Sequence, residues 1–472
     1  MTTTQDQHEL RERFETAGQA HVFAFWDELS PASRADLLAA LQAVDLDHVA
    51  ELARLLEAPP EHAATSFSPP EMFPRDVRGS AFEGRAREAR ERGAEDFAAG
   101  RVGYLLVAGG QGSRLGFDGP KGLFPAGPVS GASLFELFAH KLRAAEARYG
   151  ARSHWWIMTS GVNDADTRAF FESNGYFGLA PEQVRFFQQA LLPALDANGR
   201  IVMAERDRPF LAPNGHGGVL AALESSGGLA EAASLGIERF SYFQVDNPLA
   251  HPADPLFVGL HDMEQAEMST KVVTKRDAGE KVGVIGVADG KLGCIEYSDL
   301  PERLREQRDE GGALRFRAGN IAIHVIERTF VESLTRGGEL HLPWHLARKK
   351  IPAVDALGGS DRRLQIDGVK FETFVFDALR STTHSVTLEV ERANEFSPIK
   401  NAEGVDSPGT AYADLCRMWS GWAAAAGRAL PAVTPEGIHP VEIDPLVADE
   451  REAFLASSVE PEVRDGGHLY RP

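Results

Sequence analysis

A glycine-rich stretch, Leu106–Gly116, has the residue types that can hold an anion. Three of its glycines, at positions 109, 110 and 112, directly follow an apolar run and leave the backbone free to curl with its N–H groups facing a negative charge. Arg114 and Lys121 add positive charge on the same loop. A surface turn with two solvated cations is the simpler alternative, but the density and position of the glycines favour a loop that binds phosphate groups.

Two better-known glycine motifs do not fit this stretch. The dinucleotide fingerprint GxGxxG, begun at Gly110, needs a glycine at position 115, where Leu115 stands. The P-loop pattern also fails, because Pro120 precedes Lys121 and Gly122 follows it where Ser or Thr is required. Both a nicotinamide-dependent oxidoreductase and a P-loop nucleoside triphosphatase are therefore disfavoured.

The elements that must position this loop alternate between strands and helices. Apolar runs typical of buried strands, with helical patterns between them, lie at 103–108, 133–149 (helical), 154–158, 164–174 (helical), 184–187 and 240–245. Such alternation predicts a mostly parallel sheet covered by helices on both faces. Ligands of such sheets bind at the carboxyl ends of the strands, where Gly109 and Asp246 both fall.

Composition narrows the class of protein. The 472 residues carry a net charge of −20, which disfavours a broad nucleic-acid surface but allows a phosphorylated small ligand. Only two cysteines are present, so neither a disulfide scaffold nor a cysteine-built zinc site is expected. No apolar run of about 18 residues occurs, and the N-terminus lacks the pattern of a secretory signal. We therefore expect a soluble, cytoplasmic protein with no nucleic-acid or membrane partner.

The glycine-rich loop resembles the nucleotide-binding signature of sugar nucleotidyltransferases. Later segments, in the same order along the chain, resemble the eukaryotic-type UDP-sugar pyrophosphorylases, and most of all their UDP-N-acetylhexosamine branch. The matching segments are Phe186–Pro193, Ala212–Gly218, Val245–Asn247, Glu280–Val284, Ile295–Ser298, Gly319–Ile321, Leu342–Pro352, Gly368–Asp377 and Glu395–Asn401. The resemblance implies a UTP:sugar-1-phosphate uridylyltransferase, an enzyme that joins UTP to a sugar-1-phosphate and releases pyrophosphate.

The resemblance and the element pattern together imply an α/β fold. Its core would be a Rossmann-like nucleotidyltransferase domain with a mostly parallel mixed sheet, preceded by a helical N-terminal segment and followed by a small C-terminal domain. The expected boundaries are 1–98 for the helical N-terminal region, 99–384 for the nucleotide- and sugar-binding catalytic domain and 385–472 for the small C-terminal domain. The sequence does not indicate an oligomeric state.

The resemblance also implies roles in an in-line attack of a sugar-phosphate oxygen on the α-phosphorus of UTP. Catalytic roles in neutralising the phosphates fall on Arg114, Lys121, Lys370 and Lys400. Asp246 would bind substrate through Mg²⁺, the expected cofactor, because this hard ion prefers carboxylate and phosphate oxygens. Positioning and charge neutralisation can carry such a transfer, so no covalent nucleophile is expected.

The remaining implied roles concern recognition of two small-molecule substrates, UTP and the sugar-1-phosphate. The residues are Gly109 and Gly110 for the triphosphate, Gln188, Gln189 and Gly215 for uracil, and Gly283, Glu296 and Asn320 for the sugar, with His216 near the sugar and the nucleotide. Amide and backbone groups can match the N3–H and the carbonyls of uracil, which cytosine would not satisfy.

Two positions depart from the family's pattern. Ser113 stands where threonine is usual and keeps the hydroxyl. His216 stands where the N-acetylhexosamine enzymes have asparagine, and a Gly-His-Gly string is more like that of UDP-glucose and broad-specificity UDP-sugar pyrophosphorylases. The expected product is UDP-N-acetylglucosamine. A UTP–glucose-1-phosphate uridylyltransferase or a broad-specificity enzyme is the alternative, and a non-catalytic UDP-sugar sensor is the alternative from another class.

Overall fold

The computed structural model describes residues 4–57, 66–297, 299–356 and 360–472. Ser298, which closes one of the matching segments, lies outside the described residues, and so do residues 58–65 of the predicted N-terminal region. The α-helices are α1 (Thr4–Thr16), α2 (Pro31–Gln42), α3 (Leu46–Glu57), α4 (Glu83–Ala98), α5 (Leu134–Tyr149), α6 (Asp164–Ser173), α7 (Gly218–Ser225), α8 (Gly228–Ser234), α9 (Pro255–Met263), α10 (Glu302–Arg305), α11 (Arg328–Leu334), α12 (Arg392–Glu395), α13 (Pro408–Ala425) and α14 (Arg451–Ala456).

The strands are β1 (Phe67–Ser68), β2 (Val102–Val107), β3 (Trp155–Thr159), β4 (Val184–Gln188), β5 (Leu191–Pro193), β6 (Met203–Glu205), β7 (Arg208–Pro209), β8 (Leu211–Pro213), β9 (Arg239–Gln244), β10 (Met268–Thr274), β11 (Val284–Ala288), β12 (Lys291–Ile295), β13 (Ala318–Glu327), β14 (His345–Asp355), β15 (Ser360–Glu372), β16 (Thr387–Val390), β17 (Val441–Ile443), β18 (Glu462–Arg464) and β19 (Gly467–Tyr470). Among the residues that the structure describes, no helix has both the length and the apolar character needed to cross a membrane.

The chain divides into two compact units that follow contacts rather than chain order. The smaller unit comprises Met1–Ala63, Ala190–Gly218 and Leu342–Val375, and the larger unit comprises Ala64–Gln189, Val219–His341 and Phe376–Pro472. The domain ranges expected from the sequence are a different kind of division, because they are contiguous, and they stay a prediction.

The larger unit is built on a mixed sheet. Its main path runs β1-β11-β13-β9-β2-β3-β4, and β10, β12 and β16 pair to the side of that path. The strands β9, β2, β3 and β4 are parallel, whereas β13 runs antiparallel to β9 and begins an antiparallel half. The predicted α/β fold with a mixed sheet is confirmed.

Sequence explains the parallel half directly. All of β3 and the first five residues of β2 and β9 are buried. Accordingly β2 is a continuous apolar run and β3 is apolar up to Thr159, whereas β9 also buries Arg239 and Ser241. Trp155 and Trp156 are 0% and 1% exposed and belong to the core. The helix α5 begins after Ser133, whose Oγ accepts a hydrogen bond from the Glu136 N–H at 3.1 Å, and it ends at Gly150 with a φ of 81°.

The antiparallel half contains a bulge. The register between β10 and β13 shifts between Thr270 and Val272, so β13 carries extra residues opposite this point. Ala322 lies in that part of β13 and has a φ of 54°, a left-handed conformation that non-glycine residues rarely adopt. Bulges re-aim neighbouring side chains, and this one follows Asn320, a predicted sugar-binding residue.

A small C-terminal sheet, β17-β19-β18, packs with α13 through buried side chains that include Trp419 and Tyr470. Its Glu442, only 2% exposed, accepts hydrogen bonds from the N–H of Val129 and of Ser130, both at 2.7 Å, and from Ser130 Oγ at 2.5 Å. The strand β17 is thus tied to the segment that follows the glycine-rich loop.

The smaller unit combines α1, α2 and α3 with the long hairpin β14–β15. Phe14, Leu37 and Phe371 share its buried core. The Gln19 side chain, 6% exposed, donates to the Gly199 carbonyl at 3.0 Å and accepts from the Ile201 N–H at 2.9 Å. The helical N-terminal segment was expected from the sequence, whereas the hairpin was not.

Candidate active site

Gly109 stands at the carboxyl end of β2, where another backbone comes close. The N–H of Gln189 donates to the Thr159 carbonyl at 2.9 Å, which places Gln189 beside the loop. A Cβ added at Gly109 would lie 3.2 Å from Gln189 Oε1 and 3.5 Å from the Thr159 carbonyl oxygen. The structure therefore brings together the predicted triphosphate-binding glycine and a predicted uracil-binding amide.

The glycine-rich loop folds back on itself, and this fixes the backbone positions from which its cationic side chains extend. The Lys121 N–H donates to the Gly110 carbonyl at 3.0 Å, which closes the loop. A Cβ added at Gly122 would lie 2.1 Å from the Phe135 ring, so only glycine allows this close packing. Arg114 is exposed in a short 3-10 turn of the same loop. The loop thus holds Arg114 and Lys121 in the segment that follows the carboxyl end of β2.

Asn163 holds this loop and was missed by the sequence analysis. Its side chain is fully buried and donates to the carbonyls of Ala108 at 2.9 Å and Gly110 at 3.3 Å. Its Oδ1 accepts from the Ser160 N–H at 2.8 Å. No motif marks this asparagine, because its partners are backbone groups 53 and 55 residues away.

Lys121 and Asp246, predicted to bind phosphate and metal respectively, lie side by side. Lys121 Nζ is 3.8 Å from Asp246 Oδ2, and the side chains are 17% and 14% exposed. Among the residues that the structure describes, no group of three His, Cys, Asp or Glu side chains could hold a metal ion. A single carboxylate still fits Mg²⁺, because this ion is often held by one or two carboxylates together with substrate phosphates and waters.

The segment that carries Lys400 reaches the same place. The Ile399 N–H donates to the Asp246 carbonyl at 2.8 Å, and the Lys400 N–H donates to the Asp406 carbonyl at 2.7 Å. Lys400 Nζ lies 5.8 Å from the centroid of the Phe396 ring. The backbone before Lys400 is therefore attached to the predicted metal-binding residue.

The three predicted sugar-binding residues of the larger unit converge on the antiparallel half. The Asn320 N–H donates to the Gly283 carbonyl at 2.8 Å. A Cβ added at Gly283 would lie 2.5 Å from Cys294 Sγ and 3.7 Å from Glu296 Oε1. Asn320 Nδ2 is 3.7 Å from the same sulfur. We call Gly283, Cys294, Glu296 and Asn320 the sugar cluster; Cys294 was not predicted.

The bulge sets the direction of the Asn320 amide. Its Oδ1 accepts a hydrogen bond from the Ala322 N–H at 3.0 Å, so the amide NH₂ turns to the other side, toward Cys294. Burial, the nearby Glu296 carboxylate and Asp377 raise the pKa of the Cys294 thiol well above its usual range, despite the opposing hydrogen bond from Asn320. The cluster therefore offers a neutral thiol and an amide donor beside a carboxylate.

Gln188 and Gln189 face different partners. Gln188 ends β4, and its side chain hydrogen-bonds to Asp164. Burial raises the pKa of Asp164, but hydrogen bonds from Arg168, Thr159 and Gln188 outweigh it and leave that pKa below its usual value. Of the two predicted uracil-binding amides, Gln189 is the one beside Gly109.

In the smaller unit, Gly215 and His216 lie against the end of β15. Gly215 has a φ of 82°, and a Cβ there would lie 2.3 Å from the Thr373 carbonyl oxygen, so glycine is required. His216 Nδ1 accepts from the Val375 N–H at 3.3 Å, and its ring stacks on Phe374 with centroids 5.2 Å apart. This histidine is fixed by its surroundings.

Within the larger unit, the structure groups the predicted site residues into Gly109 with Gln189, Lys121 with Asp246 and the Lys400 segment, and Gly283 with Glu296 and Asn320. Gly110, Arg114 and Gln188 also lie in the larger unit, whereas Gly215, His216 and Lys370 belong to the smaller unit. Lys370 lies on β15, with its Nζ 5.0 Å from the centroid of the Phe210 ring.

A glycine-rich loop, a lysine–carboxylate pair and a polar cluster on one α/β sheet are the features expected of a sugar nucleotidyltransferase, and the comparisons with known proteins agree with this class. The structure is similar to that of a uridine diphosphate N-acetylglucosamine pyrophosphorylase from Trypanosoma brucei, with a TM-score of 0.81 and 30% sequence identity over 96% of this chain and 95% of that one.

The chain belongs to the UTP–glucose-1-phosphate uridylyltransferase family, whose model matches residues 86–406. It is 37% identical to human UDP-N-acetylhexosamine pyrophosphorylase-like protein 1, over 95% of this chain and 94% of that protein. It is 33% identical to the UDP-N-acetylglucosamine pyrophosphorylase of Saccharomyces cerevisiae, over 91% of this chain and 93% of that protein. The predicted family is confirmed, and the protein is a nucleotidyltransferase rather than a non-catalytic sensor.

Proposed function

We propose that the protein makes UDP-N-acetylglucosamine and pyrophosphate from UTP and N-acetylglucosamine-1-phosphate. The observation that carries the proposal is the meeting of Lys121, Asp246 and the Lys400 segment at the carboxyl edge of the parallel strands. This edge is where ligands bind in open α/β sheets. The names of the yeast and trypanosome relatives support the choice of sugar.

The reaction joins two anions, so the chain's own groups must neutralise charge and hold the reactants in line. The backbone N–H groups of Gly109 and Gly110, with Arg114 and Lys121, would bind the triphosphate and the departing pyrophosphate. Lys400 and Lys370 would contact phosphate oxygens, for which a lysine is a compact charge without a required fork geometry. The sugar-phosphate oxygen forms the bond to the α-phosphorus while the bond to the β-phosphate oxygen breaks.

Mg²⁺ is part of the proposal, with Asp246 as its protein ligand. The ion would supply charge neutralisation on the phosphate oxygens. Removal of divalent ions with EDTA is expected to abolish pyrophosphate release, and excess Mg²⁺ is expected to restore it. Full activity in EDTA would contradict this part of the proposal.

The sugar cluster supports recognition of an N-acetyl sugar. Its Asn320 amide NH₂ donates one hydrogen to Cys294 Sγ, and the second would be donated to an acetamido carbonyl or to a hydroxyl, while the Glu296 carboxylate would accept from hydroxyls. Gln189 beside Gly109 would match uracil.

A cytoplasmic location, where thiols stay reduced, belongs to the same proposal. It is supported by the two cysteines, Cys294 and Cys416, which are both free.

One observation favours a second candidate, a UTP–glucose-1-phosphate uridylyltransferase. His216 is stacked on Phe374 and bonded to the Val375 N–H, so it is a fixed histidine where the N-acetylhexosamine pattern has asparagine. The deciding experiment measures pyrophosphate release with UTP and Mg²⁺, comparing N-acetylglucosamine-1-phosphate with glucose-1-phosphate at equal concentration. We expect a preference for the N-acetyl sugar. A preference for glucose would select the second candidate, and release with neither sugar would contradict both.

A further inference from the structure

Asn247, directly after Asp246, connects two distant parts of the chain. Its side chain is 3% exposed, its Oδ1 accepts from the Ser397 N–H at 3.0 Å, and its Nδ2 donates to the Glu395 carbonyl at 2.7 Å. The Ile399 N–H donates to the Asp246 carbonyl at 2.8 Å. Three hydrogen bonds therefore join residues 246–247 to residues 395–399, the segment that leads to Lys400.

The far side of this segment is anchored by a buried lysine. Lys271 is fully buried, and its Nζ lies 2.8 Å from Glu395 Oε1 and 2.7 Å from Asp254 Oδ2. Ser397 Oγ also donates to Asp414 Oδ2 at 2.7 Å. A buried charge is costly to leave unpaired, so the ion pair with Lys271 fixes the start of the segment, at Glu395, within the larger unit.

The loop that carries Asp246 is held from its own side as well. Lys141 Nζ donates to the carbonyl oxygens of Pro248 at 2.6 Å and Ala250 at 2.7 Å. Both parts joined by Asn247 are therefore rigid, and the asparagine itself is the side chain that spans them. A substitution of Asn247 alters the position of residues 395–399 relative to Asp246, but it leaves the contacts of Lys141 and Lys271 in place.

We propose that Asn247 is a positioning residue that sets Lys400 relative to Asp246. The inference rests on the proposed function, in which Asp246 binds the metal and Lys400 contacts phosphate. Asparagine is required because it offers one acceptor and one donor on the same planar group, matching one N–H and one carbonyl. An aspartate keeps the acceptor for the Ser397 N–H but sets a carboxylate oxygen against the Glu395 carbonyl.

The functional test is a double-mutant cycle on kcat with Asn247→Ala, Lys400→Ala and the double variant. We expect Asn247→Ala to lower kcat by up to about 100-fold, as misplacement of a reacting group does, with little change in KM for UTP. In the Lys400→Ala background the same change is expected to lower kcat by less than about twofold, because groups that act as a unit are not additive. Asn247→Asp is expected to fall between wild type and Asn247→Ala.

The matched control is Asn163→Ala, which removes another buried asparagine, but one that holds the glycine-rich loop. Its effect is expected to add fully to that of Lys400→Ala. Additive effects of Asn247→Ala and Lys400→Ala would overturn the proposal, because a merely structural asparagine lowers kcat equally in both backgrounds.

A second measurement is independent of activity. Amide hydrogen exchange without substrate is expected to rise in residues 395–400 of Asn247→Ala and to stay unchanged in β2. Unchanged exchange in 395–400 would overturn the proposal at any level of activity. A wild-type protein that releases no pyrophosphate would instead refute the proposed function, and the exchange measurement would still decide whether Asn247 holds the segment.

Discussion

The glycine-rich loop and the sugar cluster lie in the same unit but are built in opposite ways. The loop follows β2, a parallel strand, and takes its shape from glycines and from backbone hydrogen bonds such as Lys121 N–H to Gly110 carbonyl. The sugar cluster is assembled across antiparallel strands, where Asn320, Cys294 and Glu296 meet through register and a bulge. The shape of the loop is thus encoded in one short segment, whereas the arrangement of the sugar cluster depends on how several strands pair.

The largest expected effect is on the loop. Lys121→Ala is expected to lower kcat by about 10²–10³-fold, since it removes a fixed positive group from the transferring phosphates. Pyrophosphate release measures it, and circular dichroism checks that the fold persists. The control is Lys349→Ala, an exposed lysine on β14, which is expected to keep wild-type activity. Full activity of Lys121→Ala would remove the phosphate role of the loop.

A substitution in the sugar cluster is expected to change the KM for the sugar-1-phosphate and not the KM for UTP. In Gly283→Ala the new methyl group meets Cys294 Sγ at 2.5 Å, so KM for the sugar-1-phosphate is expected to rise about tenfold, with KM for UTP unchanged. Steady-state kinetics with each substrate varied in turn measures the two values. Adding Cys294→Ala makes room for the methyl group and is expected to recover most of the loss. An equal rise in both KM values would show that the two regions are not separate.

The bulge can be tested by stability. Ala322→Val is expected to lower the free energy of unfolding by about 1–2 kcal/mol, because a β-branched residue is strained at a φ of 54°. Ala322→Gly is expected to leave it within about 1 kcal/mol, since glycine adopts this φ freely but gains entropy in the unfolded chain. Urea unfolding measures both. Equal stability of the valine and glycine variants would argue against a strained bulge.

A further expected effect concerns the dependence of stability on pH. Burial, opposed by the nearby Glu395 and Asp449, lowers the pKa of Lys141 to about 8 from 10.5. Between these values the unfolded chain binds more protons than the native one, so this group makes stability rise with pH from about 8 toward 10.5. Urea unfolding at several pH values is expected to show this rise in wild type and its loss in Lys141→Met. Parallel curves for the two proteins would contradict the assignment.

The contrast between the locally built loop and the sugar cluster, assembled across several strands, also explains how much of the structure the sequence could predict. The parallel strands, α5 with its Ser133 cap and the Gly109–Lys121 loop are local patterns, and the structure has them at the predicted places. The resemblance supplied Gly283, Glu296 and Asn320, and the structure brings them together.

Contacts between residues far apart in the chain could not be predicted. Asn163 and Asn247 form hydrogen bonds with backbone groups that are distant in sequence. Ala322 lies at a register shift that no residue type in the sequence indicates. The β14–β15 hairpin was missed for a different reason, because Arg348, Lys349 and Lys350 interrupt the apolar pattern of β14.

The bond network around Glu442 has a consequence for synthesis. The N–H groups of Val129 and Ser130 follow the glycine-rich loop, yet their acceptor is made more than 300 residues later, in β17. During synthesis on the ribosome the parallel strands and the loop emerge early. The N–H groups of Val129 and Ser130 can be bonded only after β17 has emerged as well. The nascent chain therefore completes these two hydrogen bonds only after more than 300 further residues have been translated.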